Sequence, residues 1–106
     1  MMPSHLATLA LSVTLLAAAP GSVPNFDARP GCSAGADAGI DIQPNIAACV
    51  QSEEQAKNEL IKDWQNFSGT AKNQCVAEIR SGGPPSYIEL LTCLEMERDA
   101  DSMQTD

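Results

Sequence analysis

Residues 68–98 read SGTAKNQCVAEIRSGGPPSYIELLTCLEMER. Two glycines and two prolines stand at the centre, with an apolar-periodic run on each side. Ser68 suits an N-cap, because its side-chain oxygen can accept a backbone N–H that an opening helix leaves unpaired. The spacing then predicts a helix over residues 69–81, with Val76 and Ile79 facing inward. Gly82-Gly83 ends it. A glycine just past a helix takes the left-handed conformation cheaply, and Pro84-Pro85 cannot continue the ladder. Ser86 followed three residues on by Glu89, just before an apolar run, is a capping-box signature. A further helix is predicted from residue 86 to about residue 98, with Tyr87, Leu90, Leu91 and Leu94 as its apolar face. The whole stretch reads as a helical hairpin.

Upstream, residues 44–66 carry a longer helical pattern. Pro44 suits a first turn, where its missing N–H costs nothing. Ile46, Val50, Ala56, Leu60, Ile61, Trp64 and Phe67 recur at helical spacing, although the middle, QSEEQAKNE, is thinly apolar. Trp64 and Phe67 are expected in the core. Glu53 and Lys57 stand four apart in the favourable order for a surface pair. Residues 20–43, rich in Pro, Gly, Ala and Asp, show no period and read as an irregular arm with Val23, Phe26 and Cys32 as attachment points. Residues 99–106, DADSMQTD, read as a frayed acidic tail. No strand pattern competes. The expectation is an all-α, three-helix unit over residues 44–98, a long first helix plus a hairpin, with an N-terminal arm.

Residues 6–19, LATLALSVTLLAAA, are apolar, uncharged and end in small residues. That is the layout of a secretory signal peptide, expected over residues 1–19. The run is shorter than the 18 or so apolar residues of a membrane span. Two features depart from the pattern: MMPSHL has no Lys or Arg, and Pro20 directly follows Ala19, which moves the favoured cut a few residues on. Residues 1–19 contain no Asp, Glu, Lys or Arg, so the formal net charge of -8 falls on the remainder. Nucleic acid and anionic lipid are poor partners for such a chain, because both are held by Lys and Arg clusters. A cationic protein partner is favoured by long-range attraction. The same acidity also serves to keep a small exported protein soluble.

Four cysteines, Cys32, Cys49, Cys75 and Cys93, follow the apolar run. An even count in a short exported chain reads as two disulfides, with three connectivities open. Helix rise chooses among them. Cys75 and Cys93 lie about seven and eight residues from the Gly-Pro corner, hence at similar height on antiparallel helices. Cys49 lies roughly 28 Å along the first helix from Ser68, beyond the reach of the short second helix. The pairing expected is Cys32–Cys49 and Cys75–Cys93. With so few aromatics the core is marginal, and closing the Cys75–Cys93 loop should contribute about 3 kcal/mol. The apolar tip of the long helix, IAACV, needs cover from the arm or from a second copy, which leaves a dimer open.

His5 is the only histidine and lies inside the expected signal. Its removal excludes Ser-His-Asp and Cys-His catalysis and His-containing zinc sites. Paired cysteines exclude thiol chemistry, and the spacing lacks the close C-x-x-C of a metal or redox site. Carboxylate pairs remain, at Glu53-Glu54, Glu59 with Asp63, and Glu95 with Glu97 and Asp99. Acid pairs need a cleft to work as glycosidase carboxylates. On a domain this small they read as solvated helix faces. No calcium-loop pattern occurs. Asn66-Phe67-Ser68 matches the N-glycosylation pattern, which matters only in a eukaryotic secretory pathway. No catalytic residue, metal ligand or cofactor is expected. Tyr87, Pro84 and Pro85 are the candidate interaction residues, because a helix corner needs its glycines, prolines and cap but not evidently a tyrosine.

The GGPPSYIELLTCLE block at residues 82–95, with Trp64, Cys75 and the FDARPGC stretch ending at Cys32, resembles a group of small exported proteins of unknown function from alphaproteobacteria. The resemblance covers most of the chain beyond the apolar run. It implies a bacterial, periplasmic setting and no activity. The sequence-level expectation is a non-enzymatic periplasmic or secreted module that binds another protein or supports the envelope. The alternative is a carrier of a small molecule or metal, using the Tyr87 corner or Met96 and Met103 with nearby acids.

Overall fold

The computed structural model describes residues 21–37 and 45–104. The expected signal peptide lies outside the described residues. Four α-helices form: α1 at Arg29–Asp37, α2 at Asn45–Asp63, α3 at Gly69–Ser81 and α4 at Tyr87–Gln104, with a 3-10 turn at Trp64–Asn66. No strand occurs among the described residues. The long helix and hairpin expected from sequence are α2, α3 and α4.

α4 is the central element and packs on both α2 and α3, while α1 packs on α2. The core is one cluster. Leu60, Cys75, Leu90 and Leu94 are its fully buried members, with Trp64, Phe67, Val76, Ile79 and Tyr87 around them. Each of α2, α3 and α4 thus buries one apolar stripe, which is where most helix stability in a small protein comes from. Lys72 is buried along its stem, and its ammonium stands 5.2 Å from the centroid of the Trp64 ring. That places the cation over the ring face while the stem covers apolar surface.

The hairpin punctuation behaves as its chemistry requires. Ser68 is the N-cap of α3, and its Oγ accepts from Ala71 N–H at 3.0 Å. Gly82 ends α3 with its N–H on the Ile79 carbonyl, but the left-handed residue is Gly83, at φ 98°. A side chain there would be strained although space is open around it.

Three expectations are corrected. Four helices form among the described residues rather than three, because residues 29–37 of the expected irregular arm are helical; of the arm's described residues, 21–28 are irregular, and residues 20 and 38–43 lie outside the described residues. RPGCSAGAD has weak intrinsic propensity, and tertiary context overrides it. Asp27 accepts from the Arg29 N–H at 3.2 Å, Pro30 sits in the first turn where its lost donor is harmless, and Cys32 is bonded to α2. The acidic tail is likewise helical to Gln104. Extending an existing helix is far cheaper than starting one. Arg98, 4.8 Å from the Phe67 ring centroid, also ties this last part to the core. Finally, Ile61 is 57% exposed. Leu60 takes the inward position, and the next residue lies about 100° round the helix.

Both disulfides connect as expected, Cys32–Cys49 and Cys75–Cys93. α1 gives the tip of α2 partial cover: Cys49 and Val50 are half-buried, while Ile46 stays exposed. Replacing Cys75 and Cys93 together by Ala is expected to lower unfolding free energy by about 3 kcal/mol in urea titration. Replacing Cys32 and Cys49 should instead speed amide exchange in α1 and leave α3 and α4 protected. Equal loss of protection in all helices would contradict this division.

Candidate functional site

The sequence points to the corner where α4 begins, and the structure shows what is built there. Ser86 is the residue before α4. Its Oγ accepts from Glu89 N–H at 3.2 Å, the N-cap half of the expected capping box. The same hydroxyl donates to Glu53 Oε2 at 2.6 Å. The other Glu53 oxygen accepts from Tyr87 N–H, also at 2.6 Å. Glu53 comes from the middle of α2, and its side chain is 7% exposed. Its two oxygens therefore span the first turn of α4. A carboxylate is well placed there, because an opening helix presents unpaired N–H groups and the positive end of its dipole.

Tyr87 faces the other way, toward the arm, and is 3% exposed. Its Oη accepts from Phe26 N–H at 2.6 Å. Its single proton lies within reach of the Pro24 carbonyl at 3.1 Å and the Phe26 carbonyl at 3.3 Å. The Phe26 ring packs at 5.1 Å between centroids, tilted by 38°. Lys57 places its ammonium 5.5 Å from the centre of the tyrosine ring. The tyrosine is thus the peg on which the arm hangs. That accounts for its presence at a corner whose turn does not need it.

Pro84 and Pro85 sit on the outer side, Pro84 exposed and Pro85 half-buried. α1 comes close to this corner: a Cβ built at Gly31 would stand 3.5 Å from Pro84 Cβ, an ordinary contact. Two open clefts flank the Glu53 bridge. One, of about 310 Å³, lies between the arm and α2 and includes Arg29, Lys57 and Tyr87 in its walls. The other, of about 360 Å³, lies between α1 and the proline corner and includes Cys32, Pro84 and Pro85. Hence the three candidate interaction residues are brought together, but only the prolines present surface.

Asp27 pairs with Arg29 where the arm enters α1. The Arg29 backbone N–H and then the Arg29 guanidinium hold its carboxyl below the ordinary range. A depressed carboxyl contributes stability above its ordinary value and loses it as pH falls through the folded one. The group is well exposed, so the effect on folding is small. Among the described residues, no three His, Cys, Asp or Glu side chains gather as a metal site. Met96 and Met103, the sulfur donors of the carrier reading, are both exposed on α4.

Sequence reasoning missed Glu53. It appeared as one half of a surface pair with Lys57 and, with Glu54, as an acid pair on a solvated helix face, whereas it is buried. The available signal was its position, three residues before Ala56 and seven before Leu60, on the stripe that is buried. No protein-family model matches the chain, and neither a curated protein nor a solved structure does.

Two substitutions separate the roles at this corner. Glu53→Ala leaves a buried helix start without its acceptor and is expected to cost about 3 kcal/mol in urea unfolding. Tyr87→Phe keeps the ring and removes only the hydroxyl, at about 1–2 kcal/mol. Its signature is faster exchange of the Phe26 amide with α3 unchanged.

Proposed function

We propose that this is a non-enzymatic protein of an oxidising compartment, periplasmic or secreted, that acts by binding another protein or supporting the envelope. The observation that carries the reading is the employment of its polar groups. Glu53, Ser86 and Tyr87, the functional groups gathered at the best-defined corner, are bonded to one another and to the arm. A catalytic carboxylate or hydroxyl has to meet substrate, and these are turned inward. All four cysteines are paired, which agrees with an oxidising setting. None of the described helices is long and apolar enough to cross a membrane. The resemblance to small exported alphaproteobacterial proteins points the same way.

A second reading, a small-molecule carrier, is favoured by the two clefts on either side of Glu53, one of them walled by Tyr87. Both are open; the one between the arm and α2 is mixed in charge, with Arg29 and Lys57 beside Glu53 and Glu54, and the one at the proline corner carries only the acids Glu53 and Glu89. Ligand sites that hold small molecules firmly are more enclosed and more apolar.

The test is capture. Oxidised protein, immobilised through its C-terminus, is exposed to periplasmic extract and compared with the reduced, alkylated form. A partner retained by the oxidised form alone supports the interaction reading. Retention of none, together with thermal stabilisation by a small-molecule or metal panel, supports the carrier instead.

A further inference from the structure

Resting on the interaction reading, we propose that the solvent face of α4 is the docking surface, and that its occupant is a basic amphipathic helix of a partner protein. Ile88, Met96 and Met103 are 41%, 64% and 74% exposed. They are spaced eight and seven residues apart, roughly two turns each, so they fall on one side of the helix. That side is opposite Leu90 and Leu94, which are fully buried. Glu89, Glu95 and Asp99 are exposed and stand between the apolar positions. The result is a face on which three apolar side chains, about two turns apart, alternate with Thr92 and carboxylates along about 22 Å of helix.

Charge selects the occupant. The chain carries a net charge of -8, so a second copy would bring like charge against like. Anionic lipid is repelled for the same reason. A helix with Lys or Arg flanking an apolar stripe matches both the apolar and the acidic side chains of this face, and a helix of about fifteen residues spans it. Methionine suits such a surface, because its unbranched, polarizable side chain adapts to different partners.

The probe is a labelled Lys/Leu amphipathic peptide of about fifteen residues, with a peptide of scrambled order as control. Oxidised protein is titrated with each, followed by anisotropy and amide NMR shifts. The ordered peptide is expected to bind roughly tenfold more tightly than the scrambled one. Its shifts should centre on residues 88–103. The double variant Met96→Ser, Met103→Ser should weaken it about tenfold with thermal unfolding unchanged, since both positions are exposed. Equal binding of the two peptides overturns the proposal. So does a shift map centred on the Glu53–Tyr87 corner, or a double variant that binds like the native protein. If a captured partner binds the double variant undiminished, the interaction reading stands and this surface falls.

Discussion

The two hydrogen bonds of the Glu53 carboxylate fix where α4 starts, and much of the molecule is referred to that point. α4 is the helix that touches both α2 and α3. Its axial position relative to α2 is set by one α2 side chain gripping its first N–H and its N-cap hydroxyl. Burying a carboxylate is costly unless its lone pairs are met. Here they are met by two short bonds at the positive end of a helix dipole, the geometry in which charge-assisted bonds are strongest. The cost of burial becomes a constraint. Another register would leave the carboxylate buried without donors.

The same residue pair extends the constraint to the arm. Tyr87 gives its N–H to Glu53 and its hydroxyl to the backbone of Pro24 and Phe26. Residues 23–26 have no regular partner for their backbone, and the tyrosine supplies one. A few residues on, Cys32 bonds to Cys49, so the arm is held at two points and α1 between α2 and the proline corner. The second disulfide works inside the core, with Cys75 fully buried. One staple therefore closes the hairpin, and the other attaches the cover. A domain with four aromatic residues needs such help, because its apolar core alone is small.

The hairpin was legible because its boundaries rest on local chemistry. Ser68, Gly82-Gly83, Pro84-Pro85 and Ser86 each act within a turn of their own position, so spacing alone reveals them. The disulfide pairing was legible because helix rise is constant, and two cysteines equidistant from a turn must stand level. α1 was not legible: nine residues with two glycines and a proline gain their helix from contacts distant in sequence. The outer end of α4 was missed for a similar reason, since composition argued for fraying while Arg98 and Phe67 hold the helix on. Ile61 shows the limit of periodicity itself. Adjacent Cys75 and Val76 both reach the core, whereas of Leu60 and Ile61 only Leu60 does, and the apolar pattern alone does not tell the two cases apart.

Glu53 and Tyr87 also bear on where function can lie. A chain without histidine beyond residue 5, and with every cysteine paired, has few reactive groups to deploy. Its best-placed carboxylate and its only tyrosine are used to join α2, α4 and the arm. The described residues that remain accessible include carboxylates, amides, hydroxyls and a few cations, together with large apolar side chains that the core did not absorb. Exposed apolar groups on a small protein weaken its solubility, and those on α4 stand among acids that restore it. Scattered single residues would need no explanation. Three on one side of the central helix, standing among acids, are the surface on which the proposed recognition rests.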